Sequence, residues 1–316
     1  MSTSHQGVFL SIVSPVYGAE KIVPDLVRRI EEEVTKITTD YEIVLVEDAS
    51  PDKSWEVINA VCANHPKVVG IKLSRNFGQH AAITCGISHA RGEYVVVMDC
   101  DLQDDPVYIK DLLAAAKAGA DVVFTRKTVR KHSWFKNITA SWFNRIFSWL
   151  LDNKTIKGEN NVGSYSLITR KVVDVFLEYG DYRRHYLMVL RWLGFSQAYV
   201  QIEHKERHSG ESSYSFRKLI SHAMDGITWQ STKLLRIVVA IGLTLAAIGF
   251  LAGIAIIIRS FFSPFASGWA STMVLILFST GMLMASIGIT GVYVGNVFEQ
   301  AKKRPIFVVD EIKKAK

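Results

Sequence analysis

Apolar positions change their period along this chain, and each change marks a different kind of element. Short apolar runs at 8–13, 42–47, 68–73, 94–98 and 121–124 have the length of strands. Between them the spacing becomes helical. Leu26, Val27, Ile30, Val34 and Ile37 form one stripe behind Pro24, which suits a first helical turn, and Trp55, Ile58 and Cys62 form another. Alternating strands and helices predict an α/β domain with a mostly parallel, doubly wound sheet. Ligands of such sheets bind beyond the carboxyl ends of the strands. The unusual polar residues fall there: Pro15 and Tyr17 after the first run, Asp48 after the second, Arg75 and Asn76 after the third, Asp99 and Asp101 after the fourth. Four strand ends point at one crevice.

The pattern changes again near the C-terminus. Residues 237–258 carry no charge and would extend about 33 Å as a helix, enough to cross a bilayer. A second charge-free stretch, 260–298, is broken by Ser263, Pro264, Ser267 and Gly268 into a short loop and a second span over roughly 272–297. Lys233 and Arg236 precede the first span, Lys302, Lys303 and Arg304 follow the second, and the loop after Arg259 is uncharged. The positive-inside rule then predicts a multi-pass protein of the inner (plasma) membrane, with the N-terminal domain and both termini cytoplasmic. The expected organisation is a cytosolic domain at 1–213 and an amphipathic juxtamembrane helix at 214–235, in which Phe216, Leu219, Ile220 and Ile227 lie among basic residues. Two transmembrane helices at 236–298, with a loop near 260–270, and a basic cytosolic tail at 299–316 complete it. Gly249 with Gly253, and Gly291 with Gly295, place small residues four apart and would permit close helix packing within a protomer or in a homo-oligomer.

Composition refines this. At 316 residues and 49% hydrophobic, the chain has ample material for a core. Its net charge of +7 raises nucleic acid as a partner, but Lys and Arg cluster beside the spans and after Arg126, which favours anionic or phosphorylated lipid. Three cysteines without CxxC spacing suit a reducing compartment and are assigned no chemistry. Neither GxxxxGK nor GxGxxG follows the first strand, which disfavours a kinase-like NTPase or a nicotinamide enzyme.

The stretch VVVMDCDLQDDP drives a strand into four carboxylates. Asp99 and Asp101, one residue apart, can lean toward one hard cation; Mg²⁺ or Mn²⁺ bridging carboxylate to diphosphate fits, and zinc does not without a matching His and Cys set. Asp104 and Asp105 read instead as an N-terminal helix cap before Pro106. His80, in NFGQH, reads as a structural group.

The set LSIVSPVYGAE, LVEDASPDKS, LSRNFGQH, MDCDLQDDP, ERHSGESSYSFRKL and GVYVGNVFEQAKKRPIFVV resembles the membrane-anchored family 2 glycosyltransferases of the GT-A fold that charge a polyprenyl phosphate with one sugar, the group of dolichol-phosphate mannose synthase and the bacterial undecaprenyl-phosphate glucosyl and aminoarabinose transferases. The likeness implies inverting transfer from a nucleotide-diphosphate sugar, a UDP-sugar ahead of a GDP-sugar, to undecaprenyl phosphate. It implies that Pro15, Tyr17 and Asp48 line the nucleoside pocket, that Arg75, Asn76 and Gly78 form the adjoining loop, and that Asp99, Asp101 and Gln103 hold metal and sugar diphosphate. Arg126, Arg130, Lys136 and Arg207 would receive the lipid phosphate. The chain departs from the family at three places. Gly18-Ala19 stands where Asn-Glu is usual, Gly163-Ser164-Tyr165-Ser166-Leu167 stands for Gly-Asp-Phe-Arg-Leu, and Ser213 stands for a lysine. A carboxylate sometimes proposed for catalysis is thus missing. Two other readings stay open: a processive polysaccharide synthase, disfavoured by two spans and by Met188 ahead of Arg191 and Trp192, and a non-catalytic nucleotide-sugar-binding scaffold.

Overall fold

A computed structural model describes residues 8–127, 162–181, 184–202 and 268–314, with scattered positions between 235 and 262. The chain divides into two compact units, one of Met1–Lys131, Thr155–Ser212 and Arg304–Lys316, the other of His132–Lys154 and Ser213–Lys303.

The first unit is built on one eight-stranded sheet. Its elements in chain order are β1 (Leu10–Val16), α1 (Val23–Val34), β2 (Tyr41–Glu47), α2 (Ser54–Asn64), β3 (Val68–Leu73), α3 (Gln79–His89), β4 (Tyr94–Val97), a 3₁₀ turn (Pro106–Tyr108), α4 (Ile109–Lys117), β5 (Val122–Lys127), β6 (Val162–Thr169), α5 (Arg170–Glu178), α6 (Tyr186–Leu193), β7 (Gln197–Ile202) and β8 (Val309–Lys314). The strand order is β7-β5-β6-β4-β1-β2-β3-β8. β4, β1, β2 and β3 run parallel, as do β5 and β7; β6 lies antiparallel between β4 and β5, and β8 antiparallel on β3.

The central strands are apolar on both faces because both are covered. Leu10, Ile12, Ile43 and Leu45 join Leu26, Ile30, Ile58 and Leu112 in one core, while Val13, Val44 and Val46 join Ile83, Ile87, Val172 and Phe176 in the other. The alternation along each strand therefore sorts side chains between α1, α2 and α4 on one side and α3, α5 and α6 on the other. The stripe expected on α1 is buried as Leu26, Val27, Ile30 and Val34, with Pro24 in its first turn.

Three expectations are corrected. The first strand does not end before Ser14: β1 continues through Pro15 to Val16, with Pro15 opposite Val46. Val13 O accepts from Met98 N toward β4, and Val16 O accepts from Asp48 N toward β2, so alternation turns the missing N–H of Pro15 to the β4 side, where pairing has already stopped at Val13. The fifth strand runs past Phe124 and so carries Arg126 within the sheet. The basic tail is not simply a tail: residues 309–314 form β8, pinned by Trp55 Nε1 donating to Glu311 Oε2 at 3.2 Å and by a Lys72–Asp310 ion pair at 3.2 Å. Strands β6 to β8 and helices α5 and α6 were not anticipated from the pattern.

In the second unit, α7 (Trp269–Ala301) contains Phe278–Ala301, a segment long and apolar enough to cross a membrane, none of which is buried. Leu283, Met284, Ile287, Val294 and Phe298 are all exposed, so it is not a core helix. It is the one such helix among the described residues. In the first expected span, residues 237–242 and the described positions Thr244, Ala247, Leu251, Ile254 and Ile258 are helical. The juxtamembrane segment 214–234 and the glycines Gly249 and Gly253 lie outside the described residues.

Close approach of α3 to the sheet depends on Gly86, where an added Cβ would collide with the Val13 side chain and press on Val46. Gly86→Ala gains helix propensity but overpacks this contact, and we expect a net loss of about 1–3 kcal/mol in urea unfolding.

Candidate active site

The loops that follow the parallel strands carry the predicted site residues, and side chains of one loop fix the next. After β1, Gly18 N donates to Ser50 Oγ at 3.1 Å, Ala19 N to Ser54 Oγ at 3.0 Å and Glu20 N to Asp52 Oδ2 at 3.2 Å, while Glu20 Oε2 accepts from Lys53 N at 3.1 Å. The SPDKS segment thus serves as a template for the first loop. Gly18 has φ +65°, a left-handed conformation that asparagine also tolerates. Tyr17 projects its ring outward, 55% exposed.

After β2, Asp48 is buried and spends both oxygens on the next loop: Oδ1 accepts from Phe77 N at 2.7 Å and Oδ2 from Gly78 N at 2.8 Å. Burial pushes its carboxyl above the ordinary value, against the pull of those two amides. Gly78 adopts φ +93°, ψ 156°, a region essentially closed to other residues, with open space around it; backbone conformation alone requires glycine. Arg75 and Asn76 are exposed, and the Arg75 guanidinium lies 4.2 Å from the Phe77 ring centroid.

After β4 comes the acidic run. Asp99 Oδ1 accepts from Gln79 Nε2 at 2.7 Å and Oδ2 from Ser164 Oγ at 2.8 Å. Asp101 Oδ1 accepts from Gln103 N at 3.1 Å, closing a turn in which Leu102 has φ +60°. Asp105 caps the 3₁₀ turn through Val107 N at 3.1 Å, with Pro106 at its first position, whereas Asp104 is buried and turns back toward Asp99 N at 3.5 Å. The expected cap therefore belongs to Asp105 rather than to both acids. Cys100, between the two site aspartates, has its thiol pushed up to about 11 by burial, which leaves it a poor nucleophile.

The three departures at 164–166 are each hydrogen-bonded. Ser164 holds Asp99, Tyr165 OH donates to Asp105 O at 3.0 Å, and Ser166 Oγ meets Tyr186 OH at 2.9 Å. Sequence reasoning missed Ser164 and Gln79 as site residues. The signal available was their position inside motifs already singled out, not any chemistry of their own. Arg126 sits on β5 with its guanidinium 4.9 Å from the Tyr199 ring. Arg130, Lys136 and Arg207 lie outside the described residues.

Among the described residues, no group of three or more His, Cys, Asp or Glu could hold a metal ion by itself. The donor set fits a different arrangement: Asp101 offers a partly exposed carboxylate with one oxygen tied to its own turn, suited to Mg²⁺ or Mn²⁺ that takes its remaining ligands from water and a diphosphate.

Comparison with known proteins shows the family. Residues 11–177 match the family described as glycosyl transferase family 2. The chain belongs to that family. This glycosyltransferase is 34% identical over 303 residues to the uncharacterized glycosyltransferase YkcC of Bacillus subtilis, covering 95% of this chain and 93% of that one. It is 33% identical to the prophage bactoprenol glucosyl transferase homolog of Escherichia coli, covering 96% and 99%, and 33% identical to the bactoprenol glucosyl transferase of Shigella phage SfV, covering 95% and 97%. Among solved structures, it overlaps glucosyl-3-phosphoglycerate synthase from Mycobacterium tuberculosis, in complex with Mn²⁺, UDP and phosphoglyceric acid, at 15% identity and TM-score 0.48, covering 70% and 77%.

His80 stacks on His185 with ring centroids 4.0 Å apart, and its Nδ1 is buried with no hydrogen-bond partner among the described residues. Burial, with His185 adding, pushes its pKa from 6.5 down to about 3. The unfolded chain therefore binds more protons between those values, so this group's contribution is complete above pH 6.5 and is lost as the pH falls toward 3. We expect wild-type stability to decline relative to His80→Gln as urea unfolding is repeated from pH 7 to pH 5, with a constant difference above pH 7.

Proposed function

We propose that this glycosyltransferase moves one sugar from a nucleotide-diphosphate sugar, of the UDP class, to undecaprenyl phosphate at the cytosolic face of the membrane. The observation that carries the reading is the pair Asp99 and Asp101 at the carboxyl end of β4, one held by two neighbouring elements and the other partly exposed. The lipid acceptor is supported by the bactoprenol transferases that match nearly end to end.

In this reading Tyr17 offers its exposed ring beside the nucleoside, and the loop of Arg75, Asn76 and Gly78, shaped by Asp48, borders it. Asp101 would hold the divalent ion, and Gln103 completes that turn. When bound, Mg²⁺ or Mn²⁺ neutralises charge that builds on the departing nucleoside diphosphate. The lipid phosphate, with a second pKa of about 6, arrives as a dianion. One of its oxygens forms a bond to the anomeric carbon as the bond from that carbon to the diphosphate oxygen breaks, and no proton has to move. A carboxylate at position 164 is therefore unnecessary, and the anomeric configuration inverts. Arg126, with Arg130, Lys136 and Arg207, supplies positive charge for the incoming phosphate.

Connectivity supports the two-span topology in this reading. β8 pairs with β3 in the catalytic sheet, yet it follows α7 in the chain. If α7 crosses the bilayer, the chain must cross an even number of times to return, and residues 237–258 supply the other crossing. Both termini then lie on the cytoplasmic side, consistent with the flanking lysines and arginines.

The test is transfer of radiolabel from UDP- and GDP-sugars to undecaprenyl phosphate with added Mg²⁺ or Mn²⁺. We expect label in the lipid from a UDP-sugar, and a loss of at least about 100-fold in Asp101→Asn. Wild-type rates in that variant, or no lipid product from any donor, would overturn the reading.

A further inference from the structure

The loop that carries Arg75 and Asn76 is held at both ends, and its two anchors come from distant parts of the chain. At its far end Asp48, which follows β2, takes the amides of Phe77 and Gly78 at 2.7 and 2.8 Å. At its near end Ser74 N donates to Val308 O at 2.9 Å, one residue before β8 begins. Arg75 and Asn76 lie between these anchors, and both are exposed.

The second anchor depends on the register of β8. Ile71 faces Ile312 and Lys72 faces Glu311, but Leu73 faces Val309, so Asp310 is an extra residue that makes a bulge in β8. Continued without it, the same register would set Val308 opposite Arg75. The bulge brings Val308 O to the amide of Ser74 instead. Side chains hold this arrangement from both sides of the bulge. Asp310 itself pairs with Lys72 at 3.2 Å, while Phe307 and Val309 pack against the same apolar cluster as Phe77. Covering the open edge of β3 needs a paired strand, but not a bulge placed at its last pair.

We infer that residues 307–310 are positioning residues for the nucleotide-sugar. They fix the first residue of the loop, as Asp48 fixes the last two, so donor affinity depends on the segment that follows the long apolar helix α7. The inference rests on the reading above, in which this loop borders the nucleoside. A loop tied at one end must be ordered when its ligand arrives, and that ordering subtracts from affinity; tied at both ends, it has little left to lose. Val308 acts through its carbonyl, so Phe307 and the Lys72–Asp310 pair are the side chains through which the contact can be released.

The test uses the full chain in detergent with UDP and Mn²⁺ as probes. Calorimetry reads UDP affinity, and transfer from UDP-glucose to undecaprenyl phosphate separates the KM values for donor and lipid from kcat. We expect Phe307→Ala to weaken UDP binding about three- to tenfold and to raise the donor KM by a similar factor, with the lipid KM and kcat within about twofold of wild type. Phe307→Leu, which keeps apolar bulk, should retain most of the affinity. Lys72→Asp sets two carboxylates together at the bulge and should weaken UDP binding in the same way, and combining it with Asp310→Lys should restore the wild-type value. Ile312→Ala, on the same strand but opposite Ile71, should leave UDP affinity unchanged. Thermal unfolding confirms that each variant folds; if Phe307→Ala does not, the charge exchange decides the matter. UDP affinity unchanged in folded Phe307→Ala and Lys72→Asp, or lowered equally by Ile312→Ala, would overturn the inference. Failure of the wild type to bind UDP would instead overturn the donor assignment beneath it.

Discussion

The site depends on one buried carboxylate that binds backbone. Asp48 leaves β2 and accepts the amides of Phe77 and Gly78, which otherwise would be unpaired donors at the start of α3. That contact fixes a glycine conformation other residues rarely adopt, and the next residue is Gln79, whose amide reaches Asp99. A chain of three contacts thus transmits the geometry of β2 to the acidic end of β4. Burying an aspartate is unfavourable, and here two short charge-assisted bonds reduce that penalty without removing it.

The insertion of β6 between β4 and β5 has the same kind of consequence. An antiparallel strand beside β4 brings residues 164–166 to the acidic loop, although 65 positions separate Ser164 from Asp99. The departures at 164–166 lie on this strand, and each has found a hydrogen-bond partner. They form a substitute network, with Ser164 donating to Asp99, Tyr165 supporting the backbone at Asp105 and Ser166 joining Tyr186. The features that favoured a degenerate scaffold in the sequence are therefore integrated into the site's architecture. The edge strand β8 works from the other side of the sheet: it covers the exposed groups of β3 and anchors the chain that follows the long apolar helix.

The sequence by itself determined the fold class, because strand-length apolar runs alternating with helical stripes admit few other solutions, and it located the acidic turn because four carboxylates after a strand are conspicuous. It also marked Gly78, Asp105 with Pro106, and the exposed apolar helix, all of which are local signals carried within a few residues. It did not reveal that β1 runs through Pro15, since only the early end of pairing with β4 makes that proline acceptable. Tertiary structure alone decided what Asp48 binds, which residues hold Asp99, and that residues 309–314 complete the sheet. Those contacts join positions 20 to 256 apart in the chain, and no spacing rule reaches that far; they exist because packing and the need to satisfy buried polar groups bring distant segments together.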